Sequence, residues 1–315
     1  MSSNINNVAV IGTGVIGAGW IIRCLAHNKK VVAYDKELKL EKKLVVEIKR
    51  TWPYVKKLFN KKKLNLKNFK YVNSIEEALK NADFIQECAT ENYSIKTKLM
   101  KVIGNYAKSN AIISSSSSGL LPTRIYSKCA NPARTMIGHP FNPVYMCPGV
   151  EIVPGKKTKK NFINKANKFY KSISMNPIMV KKELPGYLAD RLQEALWREA
   201  LHIVNEGYAS TKDLDRAIED GPGLRWSLMG IFLTYHLAGG KKGMKHMLEQ
   251  FGPALKLPWT KLKAPKLSKK LSSRVIKGTS QQAKGKSVAM ISNIRDEYLV
   301  NLQRLRRRYE IKLRK

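Results

Sequence analysis

The chain has 315 residues, 43% of them apolar. That is enough for two domains and a sizeable core, and it excludes a disordered chain. Lysine and arginine number 59 against 23 acids, a net charge of +36, but the basic residues are scattered and do not alternate with aromatics as a base-stacking platform requires. The charge therefore reads as solvated surface, not as a nucleic-acid or anionic-membrane interface.

The first apolar stretch begins near Val8, is broken by Gly12, Gly14, Gly17 and Gly19, and stops at Arg23. It is too short for a membrane span, and no basic segment precedes it as in a secretion signal. "NNVAVIGTGVIGAGWIIRCLAHN" instead predicts a buried strand, a glycine turn and a helix ending near Asn28. "KKVVAYD" gives a second strand closing at Asp35, and a lysine-rich helix follows that is expected to kink or end at Trp52-Pro53. "FKYV" is a third strand. Ser74 opens a helix with Glu77 at capping-box spacing. "ADFIQECA" is a fourth strand, "SIKTKLMKVIGNYAK" a helix, and "AIISSSSSG" a fifth strand running into a serine loop. "ARTMIGH" and "GVEIVP" are strands, followed by a helix from about Lys159 and a strand at "PIMV".

Strands alternating with helices predict an α/β fold: a doubly wound, mostly parallel sheet of Rossmann type covered on both faces. After Pro185 the alternation stops and the pattern is helical, with Gly207 placed to end the helix "ADRLQEALWREALHIVNE". The expected domains are therefore 1–183, a nucleotide-binding domain, and 184–315, an all-α domain ending in a basic helix. The four cysteines show no metal-like spacing, so reduced thiols, a cytoplasmic setting and no metal site are expected.

"GTGVIG" supplies Gly12, Thr13, Gly14, Val15, Ile16 and Gly17 between a strand and a helix, the dinucleotide fingerprint. Its glycines allow the tight turn, the approach of a pyrophosphate and close helix–strand packing, and the helix N-terminus offers free N–H groups to phosphate. Asp35, eighteen residues beyond Gly17, stands where an acid hydrogen-bonds a ribose 2′-hydroxyl and repels a 2′-phosphate. NAD is thus the expected cofactor.

"GHPFNPVYMCPGVEIV" sets His139 beside a stiff turn holding Asn142 and Pro143, with Glu151 on the following strand. By itself His139 reads equally well as a satisfied core histidine. Beside a nicotinamide it reads as the base that takes a hydroxyl proton, with Glu151 orienting the ring. Ser118, ending the loop after the fifth strand, is placed to hydrogen-bond the substrate oxygen.

"HPFNPV" with the spaced acid, and "PGYLADRL" opening the helical domain, resemble the 3-hydroxyacyl-CoA dehydrogenase superfamily over nearly the whole chain. Within it, "SSSSGLLPT", "GHPFNPVY", "GLRWSLMGIFLTYHLAGG" and "FGPALKLPWTKL" are most similar to the carnitine-oxidising branch. The resemblance implies NAD-dependent oxidation of L-carnitine to 3-dehydrocarnitine, with His139, Glu151 and Ser118 catalytic. It implies that Glu91, Lys96 and Asn142 line the nicotinamide-ribose region and that the chain is a homodimer. Asp190 departs from the asparagine usual among acyl-CoA members and suits a cationic substrate. For the trimethylammonium the best aromatic is Trp226, because a quaternary cation is held by π-faces or carboxylates. Arg225 and Arg198 are candidates for the substrate carboxylate. The alternatives are a dehydrogenase of another 3-hydroxy acid or short-chain 3-hydroxyacyl-CoA, and a non-enzymatic protein binding nucleic acid or membrane through its basic surface.

Overall fold

Short runs of branched side chains form the strands, because such residues pack well on a pleated surface buried on both sides. In a computed structural model, residues 5–314 are described, except 38, 62, 229, 262, 264, 265 and 267. The lysine-rich stretch after Trp259 and the end of "FGPALKLPWTKL" thus lie partly outside the described residues. The elements run β1 (Asn7–Ile11), α1 (Val15–Ala26), β2 (Lys30–Tyr34), α2 (Leu40–Phe59), β3 (Phe69–Val72), α3 (Ile75–Leu79), β4 (Phe84–Glu87) and α4 (Tyr93–Tyr106). Then come β5 (Ile112–Ser115), α5 (Pro122–Ile125), β6 (Thr135–Pro140), β7 (Gly149–Pro154), α6 (Lys160–Ser172), β8 (Asn176–Met179) and α7 (Ala189–Glu206).

The strands make one sheet of eight, in the order β3-β2-β1-β4-β5-β6-β7-β8. From β3 to β6 every pairing is parallel; β7 runs antiparallel to β6, and β8 parallel to β7. The doubly wound sheet is therefore the expected one, and the strand order reverses at β1, where ligands of such sheets bind. One line of register crosses its carboxyl edge: Tyr34, Ile11, Glu87, Ser115 and Ile137 are successive partners. In-register neighbours point to the same face, so the face that buries Ile85, Ile113 and Ile137 ends in Glu87, Ser115 and His139. The other face meets α1 and α6, where Phe84 stacks on Phe169 with ring centroids 4.0 Å apart.

Of the two outcomes expected at Pro53, a kink or an end, the end is excluded. Helix α2 does not end at Pro53 but contains it and continues to Phe59. Leu44, Ile48, Thr51, Val55 and Leu58 recur at steps of three and four and are all buried, so packing of one face carries the helix past its missing N–H. Elsewhere local chemistry behaves as read: the Ser74 hydroxyl accepts from the Glu77 N–H at 3.1 Å, and Gly207 follows α7 with φ +82°.

The chain divides into compact units Met1–Arg191 and Leu192–Lys315; 1–183 and 184–315 remain the proposed domains. In the second unit the rest of α7 is followed by α8 (Thr211–Glu219), α9 (Pro222–Trp226), α10 (Ile231–Ala238), α11 (Gly243–Phe251), α12 (Lys269–Ala283) and α13 (Val288–Arg314). Arg274 of α12 donates to the Val204 and Asn205 carbonyls at 3.1 and 2.7 Å, tying α12 to the end of α7. Among the described residues no helix is long and apolar enough to cross a membrane.

Because Pro53 is exposed within α2, Pro53→Ala restores a helix bond without disturbing the core. Interior proline costs a helix about 3 kcal/mol against alanine, offset by at most about 1 kcal/mol of unfolded-chain entropy. The variant is expected to melt a few degrees above the parent by calorimetry.

Candidate active site

The glycine turn after β1 is shaped by what a side chain would strike. A Cβ on Gly12, whose φ is +96°, would come within 2.8 Å of the Cys88 carbonyl, and one on Gly17 within 1.9 Å of the Gly12 oxygen. Those two glycines are explained by the protein's own packing. Gly14 is not: a Cβ there meets no atom within 4 Å. The neighbouring Val15 is 73% exposed, and the first turn of α1 has no side-chain cap and no acid. An open backbone with free N–H groups at a helix start fits a phosphate, so this turn fits a dinucleotide. Thr13 is buried, and its N–H and hydroxyl donate to Asp35 Oδ2 at 2.7 and 3.2 Å. Asp35 Oδ1 accepts the Glu37 N–H at 3.1 Å. The acid is thereby locked at the tip of β2, beside the turn.

The catalytic candidates stand along the same edge. His139 on β6 and Glu151 on β7 are direct cross-strand partners. The ring is 5% exposed and the carboxylate 0%. Nδ1–H of His139 donates to Glu151 Oε2 at 2.8 Å. The other carboxylate oxygen accepts the Leu188 and Ala189 N–H groups at 2.9 and 3.1 Å, at the start of α7. Burial acts to raise the Glu151 pKa, but the His139 bond and these two N–H groups outweigh it and hold the carboxyl below its ordinary value. An anion fixed at Nδ1 leaves the Nε2 lone pair free, the arrangement of an oriented general base. The ring lies near Phe141 and Tyr187, at centroid distances of 5.3 and 5.7 Å.

The serine run is a set of anchors, not a featureless loop. Ser114 pairs with the Tyr170 hydroxyl at 2.8 Å. Ser116 Oγ accepts from the Trp20 indole and the Gln86 amide at 3.0 and 2.7 Å. Ser118 is exposed, and its N–H donates to Glu91 Oε1 at 2.9 Å. Lys96 is buried, its amine donating to both Glu87 oxygens and to the Ala89 carbonyl. Asn142 is exposed on the loop after β6 and precedes Pro143 through a cis peptide. Asp190 Oδ2 stands 3.7 Å from His139 Nε2.

The remaining assignments include residues of the second unit. Arg225 is exposed and Trp226 half-buried on α9 of the second unit. Arg198 donates to Glu194 at 3.1 Å on α7. Tyr187 is 0% exposed, and its hydroxyl donates to the Leu120 carbonyl at 2.7 Å. It is a wedge under the serine loop. Burial pushes the Cys88 thiol up to about 12, so it stays protonated.

Sequence reading missed two buried groups. Arg23, wholly buried on α1, donates to the carbonyls of Val144, Cys147, Ile173 and Ser174 at 2.7–3.1 Å and so ties the cofactor helix to the loop after His139. Glu87, on a strand buried throughout, faces Lys96. The signal was there in both cases: a lone charge inside an otherwise apolar element demands a partner.

The model for the 3-hydroxyacyl-CoA dehydrogenase NAD-binding domain matches residues 7–184, and that for the C-terminal domain of the same family matches 186–278. An L-carnitine dehydrogenase of Oceanobacillus iheyensis is 50% identical over 295 residues, 94% of this chain and 96% of that one. One from Pseudomonas putida is 49% identical over 298 residues, covering 95% and 93%. Among solved structures, (S)-3-hydroxybutyryl-CoA dehydrogenase from Ralstonia eutropha superposes with TM-score 0.64 at 26% identity, over 78% of this chain and 85% of that one. A pyridine-carboxylic-acid dehydrogenase described as an NAD+ dependent dismutase gives TM-score 0.81 at 23% identity, over 96% and 99%, a likeness of fold.

Two outcomes follow from this geometry. Asp35→Ala should narrow the NAD-over-NADP ratio of kcat/KM; an unchanged ratio would remove Asp35 from that role. Since the Glu151 pKa is depressed on folding, its contribution to stability is present above the ordinary carboxylate range and lost as pH falls through the lowered value. The melting temperatures of the parent and Glu151→Gln should therefore differ at neutral pH and converge in acid.

Proposed function

The chain belongs to the 3-hydroxyacyl-CoA dehydrogenase family and is an NAD-dependent oxidoreductase acting on a CH–OH group; from that premise we propose that it oxidises L-carnitine at C3 to 3-dehydrocarnitine. The relatives of about half identity over nearly the full chain are named L-carnitine dehydrogenase. The observation that carries the reading on this chain is the Asp190 carboxylate, 3.7 Å from the Nε2 of His139. In carnitine a single methylene separates the trimethylammonium from the reacting carbon. A group that takes the C3 hydroxyl proton therefore has the cation close by, and an anion beside that group favours it. An acyl-CoA thioester has no charge there to meet.

His139 accepts the hydroxyl proton at Nε2. Glu151 holds the other ring nitrogen and stabilises the imidazolium that forms, and the proton passes on to solvent. Ser118 donates to the substrate oxygen and Asn142 borders the same space. NAD, when bound, supplies the hydride acceptor, and Gly12 to Gly17, Asp35, Glu91 and Lys96 are the residues assigned to its binding. Arg225 and Trp226 remain the assignments for the substrate carboxylate and ammonium. A homodimer in the cytoplasm is part of the proposal; Leu192, Leu196 and Trp197, exposed on one helix at 57%, 49% and 53%, support a covered face in the second unit.

Incubating NAD with L-carnitine, 3-hydroxybutyrate and 3-hydroxybutyryl-CoA at equal concentration should give NADH fastest with L-carnitine. Faster turnover of the thioester would overturn the substrate assignment. His139→Gln should lose about a hundredfold to ten-thousandfold in kcat while still binding NADH. Residual activity within about tenfold of the parent would refute the base. Asp190→Asn should raise KM for L-carnitine several-fold, a modest change because the side chain is 35% exposed and screened.

A further inference from the structure

Behind the serine loop lies a buried ion pair that neither proton nor hydride transfer uses. Glu87, at the carboxyl end of β4, is 0% exposed, and Lys96 on α4 is 1% exposed. The Lys96 amine donates to Glu87 Oε1 at 2.8 Å, to Oε2 at 3.1 Å and to the Ala89 carbonyl at 2.9 Å. Two charges withdrawn from water carry a desolvation cost that an equivalent apolar pair would not, so stability alone is a poor reason for them.

Two arms run from Glu87 to the same short segment. In the first, the Ser115 hydroxyl donates to Glu87 Oε2 and accepts the Ser117 N–H at 3.2 Å. In the second, the Lys96 amine stands 3.5 Å from Glu91 Oε2. The other oxygen of Glu91 accepts the Ser117 hydroxyl and the N–H groups of Ser118 and Gly119, at 2.9 and 3.3 Å for the latter two. The Glu91 side chain is 41% exposed, so by itself it would hold the loop loosely; Lys96, fixed by Glu87, gives it a rigid counter-charge. The arms meet at Ser117 and fix the backbone that presents Ser118.

We propose that Glu87 is a positioning residue for the reaction: through Ser115 on one side and Lys96–Glu91 on the other, it sets where the Ser118 hydroxyl stands, touching neither substrate nor cofactor. The inference rests on the reading of Ser118 as the donor to the substrate oxygen.

The test is a double-mutant cycle on the full chain, with NAD and whichever substrate of the panel the parent oxidises fastest. Glu87→Gln alone strands a buried cation, so it is combined with Lys96→Met, which removes both charges; Ser115→Ala cuts the first arm without touching charge. Glu87→Gln/Lys96→Met should fold and, at saturating NAD because Lys96 is also assigned to the cofactor, lose about tenfold or more in kcat, the scale of a misplaced catalytic contact. KM for the oxidised substrate should stay nearly constant. Ser115→Ala, which leaves Lys96 in place, should bind NADH within about threefold of the parent and lose several-fold in kcat. Added to Ser118→Ala, either change should cost less than about threefold further, because groups acting through one contact are not additive. Effects that multiply in full with Ser118→Ala, or a kcat within about threefold of the parent in both Glu87→Gln/Lys96→Met and Ser115→Ala, would overturn the positioning role. Parent-like turnover in Ser118→Ala alone sinks the reading of Ser118 itself, and that is seen before the cycle is drawn.

Discussion

An imidazole becomes a directed base only when one of its nitrogens is committed. For His139, the base proposed here, the commitment is made across a two-strand ladder: β6 and β7 run antiparallel, and His139 and Glu151 stand directly opposite. Glu151 cannot turn away, because its second oxygen is held by two N–H groups at the start of α7. Those donors belong to a helix beginning, where unsatisfied amides favour an anion. The side chain that orients the ring is thus fixed by both the sheet and the first helix after it.

The same edge of the sheet gathers the rest. In parallel strands in-register side chains share a face, so Glu87, Ser115 and the β6 positions leading to His139 come to one level without any loop having to reach. The turn after β1, at the reversal of strand order, adds the glycine backbone that no side chain of the protein approaches at Gly14. Arg23 then binds this helix to the loop after His139 through the Val144 and Cys147 carbonyls, and to the end of α6 through those of Ile173 and Ser174. Carbonyl oxygens satisfy much of this buried cation, and it joins segments far apart in sequence.

Charge at this site is arranged rather than abundant. The chain carries a net +36, yet the edge around His139 holds Glu87, Glu91, Glu151 and Asp190, with the buried Lys96 amine between the first two. This acidic cluster stands in a basic protein and would suit the cationic substrate proposed for it.

The sequence determined the strands, the glycine turn, the acid closing β2 and the histidine with its spaced glutamate, since each is a local pattern of burial period, backbone freedom or turn stiffness. It also carried the family resemblance. It left open whether α2 ends at Pro53 or runs through it, because the cost of a missing N–H is local while the apolar face that outweighs it is buried only in the fold. It gave no direct view of the Glu87–Lys96 pair, the Arg23 carbonyl cluster or the wedge made by Tyr187. Those are contacts between residues whose proximity follows from strand order and register, and a one-dimensional pattern reports how a side chain faces but not what it faces.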